Sequence, residues 1–228
     1  MTIDLIAKYL GKDISDLIRF SPTMLGELGR FLENGGTVMY GLKNRGSYYK
    51  LSYTIKENTI TVSESIVIDG SHKGNPLAVI QDLSHEIGHA AFPFKFNLSS
   101  LEAFYKSLEQ GESIATMHDT KEAYFKNRVK DEGAAITKNI EIRREFLTHR
   151  GLDIGLGGDP VNHHFYNIIY DKFGNTPVAW EKIGTRVADK EFSIINNNLV
   201  VKKLPKRQNY YDIWDKEFQK LTELLKKN

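Results

Sequence analysis

The sequence predicts an α+β fold in which a small, mostly antiparallel sheet precedes a helical C-terminal half. Three observations carry this expectation. Alternation of apolar and polar residues with a period of two is confined to residues 37–68. From Pro76 onward the apolar residues recur at helical spacing, and turn-forming clusters at Asn34-Gly35-Gly36, Asp69-Gly70 and Gly74-Asn75-Pro76 separate the two regimes. A chain of 228 residues with no repeat and no linker-like tract reads as a single domain over 1–228. Within it, residues 1–75 carry helices and sheet, and residues 76–228 are mostly helical.

In chain order, Ile3 to Leu10 and Pro22 to Leu32 have the spacing of short amphipathic helices. The second has Ser21 as N-cap and proline in its first turn. Thr37 to Leu42 is apolar and partly β-branched. Tyr49, Leu51, Tyr53 and Ile55 then alternate with polar residues, as in a half-buried strand. Glu57-Asn58 reads as a turn into a strand at Thr59 to Ser63, with one more short strand at Ile66 to Ile68. Helices are expected at about 76–92, 99–110, 120–149, 160–173 and 209–227, with weaker helical character at 177–190. Asn196 to Asn198 reads as a turn between extended pieces, Phe192 to Ile195 and Leu199 to Leu204.

Composition bounds the function. Hydrophobic content of 40% with 26% charge suits a globular protein with a substantial core. Thirty-one basic and 29 acidic residues leave a net charge of +2, which argues against nucleic acid as partner. The local cluster Lys202, Lys203, Lys206 and Arg207 reads as a solvated loop. With no cysteine, disulfides and thiolate chemistry are excluded, so a metal would be held by His, Asp, Glu or Tyr. Met1 to Leu10 contains Asp4 and Lys8 and lacks the apolar core of a secretion signal. No stretch approaches the roughly 20 apolar residues needed to span a bilayer. The expectation is a soluble chain, exported, if at all, by a dedicated secretion system.

The chemistry concentrates in His85-Glu86-Ile87-Gly88-His89. Side chains four apart on a helix lie one above the other, so both imidazoles can reach one ion. Glu86, beside the first, can serve as base toward a metal-activated water. On a wheel of about 100° per residue with His85 at zero, His89 falls at about 40° and Glu86 at about 100°. Ile80, Leu83, Ile87, Ala90 and Ala91 fall between roughly 140° and 240°, so the histidines face away from the apolar stripe. The bland alternative is two histidines on the wet face of an amphipathic helix. With seven histidines in the chain, chance would produce roughly 0.015 such motifs, which favours metal binding.

A catalytic zinc takes three protein ligands and keeps a position open. On the 120–149 helix Glu132 lies near the centre of the stripe formed by Phe125, Val129, Ile136, Ile140, Ile142, Phe146 and Leu147. A buried, unpaired carboxylate costs several kcal/mol, on the order of a lost ion pair, so it calls for a cation. Glu132 is therefore the expected third ligand. Glu141 and Glu145 fall on the opposite, solvated face, and Glu122 is marginal. Asn139 and Arg143 share the stripe of Glu132. They are candidates to orient a ligand or bind a substrate carbonyl, with structural pairing, for instance of Arg143 with Asp82, as the alternative. His72, His118 and His149 have no constellation around them and read as surface residues.

His85-Glu86-Ile87-Gly88-His89, with a later glutamate in Asp131-Glu132-Gly133-Ala134-Ala135, resembles the gluzincin branch of the zinc metallopeptidases. The resemblance implies zinc as cofactor, His85, His89 and Glu132 as its ligands, and Glu86 as general base. It also implies a zincin-like fold with a sheet before the active-site helix and helices after it. The segments Ser84 to Ala90, Asp131 to Ala135 and Arg143-Arg144-Glu145-Phe146 are similar to metallopeptidase domains of bacterial toxin effectors, and Tyr210-Tyr211-Asp212 adds slightly to that likeness. Such effectors act on rival cells and pair with a cognate immunity protein. One departure stands out. The best-known gluzincins carry an aspartate one turn after the glutamate ligand to support a histidine, and here Ala135 and Ile136 stand there.

The implied reaction is hydrolysis of an amide in a peptide or protein, with Glu86 taking a proton and passing it to the leaving amine. The developing oxyanion needs a further donor. His163, His164 and Tyr166, after the glycine-rich loop at Gly155 to Pro160, are the candidates. The strand at 36–42 is a candidate sheet edge for aligning an extended substrate. Alternatives are a non-catalytic, metal-stabilised binding module, a peptidoglycan crosslink hydrolase, and a diiron carboxylate protein. The last wants a second Glu-x-x-His, which the sequence lacks.

Overall fold

The computed structural model describes residues 2–56, 59–92, 114–189, 192–195 and 198–201, with 215–216, 218–219 and 223 near the C-terminus. The expected helix at 99–110, most of that at 209–227, the Glu57-Asn58 turn, the Lys202 to Arg207 cluster and Tyr210 to Asp212 lie outside these residues, as do the side chains of Glu122 and His118. The chain runs α1 (Thr2–Leu10), α2 (Lys12–Ile18), α3 (Pro22–Glu33), β1 (Thr37–Tyr40), β2 (Tyr48–Lys56), β3 (Thr59–Ile68), a 3-10 turn (Gly70–His72) and α4 (Pro76–Ala91). It continues with α5 (Ile114–Arg150), a second 3-10 turn (Pro160–Asn162), α6 (His163–Phe173), α7 (Pro177–Asp189), and the paired β4 (Phe192–Ile195) and β5 (Asn198–Val201). The architecture is α+β and mostly helical. No helix among the described residues is long and apolar enough to cross a membrane.

The sheet departs from the mostly antiparallel expectation. Its order is β1-β3-β2, with β2 antiparallel to β3 and β1 parallel to it. The separate strands expected at 59–63 and 66–68 are one continuous β3. The reason lies in Ile66-Val67-Ile68, all three buried. An uninterrupted apolar run suits a central strand covered on both faces, rather than an edge with one wet face. With β3 in the middle, β1 joins its other side and runs parallel.

Local signals explain the starts of α3 and α4. Ser21 accepts from the Met24 amide at 3.0 Å, with Pro22 opening α3. Asn75 accepts from the Ala78 amide at 3.3 Å, with Pro76 opening α4. Three helical segments differ from expectation. Lys12–Ile18 was not anticipated, and α5 begins at Ile114 rather than near 120. The span expected as one helix at 160–173 is a 3-10 turn followed by α6.

Two apolar clusters meet along α5. One joins α1 to α4, β1 and β3 to Ile142, Phe146 and Ile154. The other packs Ile136 and Ile140 of α5 against Leu156, Tyr166 and Ile183. Glu145, expected to be solvated, instead accepts from Thr23 Oγ1 at 2.6 Å, the Thr23 amide at 3.2 Å and Ser21 Oγ. It thereby caps α3 from across the fold, where a carboxylate meets exposed amides and a favourable helix dipole. Glu141 is likewise engaged, by Lys138 and Asn175, each at 3.1 Å.

Candidate metal centre

His85 and His89 project from α4 with ring centroids 5.0 Å apart and planes at 89°. Glu132 comes to them from the middle of α5. The ligand atoms these three side chains offer all lie within 4.8 Å of one another. Among the described residues this is the group of acidic and imidazole side chains able to hold a metal. The meeting depends on a close helix crossing. A Cβ on Gly88 would lie 2.5 Å from Ala135 Cα, so the glycine inside the motif is what lets α4 and α5 approach.

The support for His89 comes from Asp131, which the sequence reading passed over. His89 Nδ1 donates to Asp131 Oδ1 at 2.8 Å, and Arg128 Nη1 donates to Asp131 Oδ2 at 2.7 Å. With Nδ1 occupied, His89 presents Nε2 as its ligand atom, the tautomer a metal requires. A wheel of α5 with one buried stripe centred on Glu132 does not mark Asp131. Residues 131–137 are in fact buried without interruption, since α4 and α7 both pack on this part of α5. A carboxylate adjacent to Glu132, about 100° round the helix, is therefore also inside. The legible signal was its pairing with Arg128, three residues earlier.

The electrostatics favour a cation. Burial and the neighbouring His89 charge hold His85 down to about 3, with Asp131 opposing, so its imidazole is neutral and ready to ligate. For His89, burial works against the charged form. The Asp131 charge and hydrogen bond, with Glu132 and Glu86 behind them, outweigh it and push the imidazole up to about 10, so a metal bound at Nε2 would take the place of the proton held there. Burial raises Glu86 to about 7, opposed by His89, reinforced by Glu132 and Asp82, and opposed again by a hydrogen bond from the Tyr49 main-chain amide. Burial would raise Asp131 too, but His89 and Arg128 hold it below the usual carboxylate range. Two imidazoles and an adjacent excess of carboxylates, with His85 Nδ1 buried and unpartnered, are a donor set that fits a zinc ion.

Asn139 is fully buried beside His85. Its Nδ2 donates to Ser84 Oγ and its Oδ1 accepts from the Gly157 amide, both at 2.5 Å. A Cβ on Gly157 would lie 3.0 Å from His85 Nδ1, so Asn139 pins the 155–160 loop against that histidine without a hydrogen bond to its Nδ1. Arg143 does not join the centre. It makes a two-point pair with Asp153, not Asp82. Asp82 binds His72 and Ser47 instead. His149 Nδ1 donates to the Phe20 carbonyl at 2.8 Å.

The oxyanion candidates divide. His163 and His164 line a cavity with Gln81, Arg143 and Asp153, and His85, His89 and Glu132 are not among its walls. Tyr166 is 1% exposed and packs over Gly158 and Ile136. Burial raises its hydroxyl pKa, a hydrogen bond with Asn162 lowers it, and the charges of Asp159, Arg186 and Glu132 also act on it. β1 is an edge strand as expected, but the main chain that reaches Glu86 belongs to the opposite edge, β2.

Asp131→Asn is expected to leave the fold intact and weaken zinc binding by roughly 10–100-fold, the usual cost of losing a partner that orients a histidine ligand. Competition with a chromophoric chelator measures this, and unchanged affinity would remove Asp131 from the centre.

No family model matches the chain, and no curated protein or solved structure matches it. The functional reading therefore rests on the residues themselves.

Proposed function

We propose that this protein is a zinc-dependent hydrolase of peptide bonds, a metallopeptidase with a zincin-like order of elements. The observation that carries the reading is the convergence of His85, His89 and Glu132 with Glu86 beside them and Asp131 behind His89. Zinc held by these three side chains would polarise a substrate carbonyl and acidify a water.

The protein's own groups supply the rest. Glu86, buried on α4 beside His85, is placed to accept a proton from the water and return it to the leaving amine. Asp131 keeps the His89 proton on Nδ1. Asn139 holds the loop that closes over His85. Tyr166, His163 and His164 are the candidate donors for the developing oxyanion. The resemblance of the Ser84 to Phe146 segments to toxin effectors supports a role in antagonism between bacteria, with a cognate immunity protein as partner. Expression in the cytoplasm and in the periplasm of a test bacterium, with growth as readout, locates the target.

Metal analysis of the purified chain is expected to return about one zinc per chain, as for a site of three protein ligands and one open position. Glu132→Ala should weaken zinc by more than the roughly 100-fold that loss of a supporting partner costs. Glu141→Ala, which breaks only contacts with Lys138 and Asn175, should not change zinc affinity. The reverse order would refute the ligand assignment.

A further inference from the structure

Asp82 stands on α4 one turn before Glu86, so both carboxylates face the same side of the helix. One oxygen of Asp82 receives two hydrogen bonds, from Ser47 Oγ at 2.5 Å and from His72 Nδ1 at 2.6 Å. Ser47 also accepts from the Asp69 amide at 2.8 Å. Asp69 in turn accepts from the amides of Asn44 at 2.9 Å, Gly46 at 2.6 Å and Ser71 at 2.8 Å. These bonds tie the loop entering β2 and the turn leaving β3 to a single point on α4. Two residues beyond Ser47 is Tyr49, whose main-chain N–H is donated to Glu86.

We propose that Asp82 is a positioning residue for Glu86: by clamping Ser47 and His72 to α4 it sets the start of β2 so that the Tyr49 amide lies on the Glu86 carboxylate. Among the described residues β2 is an edge of the sheet, paired with β3, so that pairing alone does not determine its height above α4. The clamp does. Its value for catalysis rests on Glu86 acting as the base, but the juxtaposition can be tested without metal or substrate.

Tyrosine follows tyrosine only at Tyr48-Tyr49 and Tyr210-Tyr211. With tyrosine labelled at its carbonyl carbon and its nitrogen, the carbonyl-to-amide NMR spectrum of the full chain therefore contains just these two amides. Glu86→Ala identifies Tyr49 and gives its position without an acceptor. In Asp82→Ala the Tyr49 signal is expected to move most of the way to that position. Its hydrogen exchange should quicken about tenfold or more, as for loss of a hydrogen bond to a charged group. Asp82→Asn, which still accepts from Ser47 and His72, should restore the wild-type signal. Ser47→Ala, which removes one strut, should shift Tyr49 part of the way and keeps the test open if Asp82→Ala does not fold. A Tyr49 amide unmoved in folded Asp82→Ala or Ser47→Ala would overturn the proposal, as would Asp82→Asn behaving like Asp82→Ala. Zinc content, measured on the same samples, reports separately on the hydrolase reading.

Discussion

Glu86→Gln is expected to abolish hydrolysis while the protein stays folded and keeps its zinc. Loss of a general base costs about 10²–10⁴ in rate, and here the same carboxylate also returns the proton, so the upper part of that range is expected. Zinc should be retained because Glu86 is not among the three converging ligands. The fold should survive because glutamine has nearly the same shape and still accepts from the Tyr49 amide. It also removes a buried ionisable group that is 5% exposed. The measurements are turnover of a peptide library, growth of cells expressing each form, zinc content and thermal unfolding. Retained hydrolysis at wild-type zinc content would sink the mechanism. Loss of zinc would show that Glu86 has been given the wrong role.

The second large effect is on the scaffold. α5 and α7 cross with almost no space between their backbones. A Cβ on Gly133 would lie 1.8 Å from the Trp180 carbonyl oxygen, and one on Gly184 would lie 1.8 Å from that of Val129. Neither neighbour is a flexible side-chain tip, so the helices themselves must separate. Alanine in place of glycine in a helix ordinarily gains about 1 kcal/mol. Against that, overpacking a close contact costs about 1–3 kcal/mol, occasionally more, and backbone against backbone belongs at the upper end. Gly133→Ala is therefore expected to destabilise by about 2 kcal/mol, lowering the melting temperature by roughly 4–8 °C for a chain of this size. Zinc affinity should fall with it, because Glu132 is the preceding residue. Gly26→Ala is the control. Gly26 is exposed within α3 with nothing within 4 Å of an added Cβ, so the same change there should stabilise. Equal signs at the two positions would contradict the packing argument.

Periodicity and caps made much of the scaffold legible. Alternation placed β2, the Ser21-Pro22 and Asn75-Pro76 starts placed α3 and α4, and the seam of strands then helices announced an α+β chain. These are local properties, written within a few residues of where they act. Pairing partners are not local. Whether β1 lies beside β2 or β3, and in which direction, depends on which strand gains most by being covered on both faces. Ile66 to Ile68 decided that only once α4 and the N-terminal helices lay over the sheet.

The centre divides along the same line. The four-residue spacing of His85 and His89, the glutamate between them and the burial of Glu132 were determined by the sequence alone, because helix geometry fixes which side chains share a face. Tertiary structure decided everything that crosses between helices. It brought Glu132 to within 4.8 Å of both imidazoles. It turned Asp131 inward against His89 by packing α5 on more than one side, sent Arg143 to Asp153, and placed Glu145 at the start of α3. A wheel describes one helix against one boundary. α5 is a helix surrounded, and on such a helix the neighbours, not the period, choose which polar side chains are buried and what they touch.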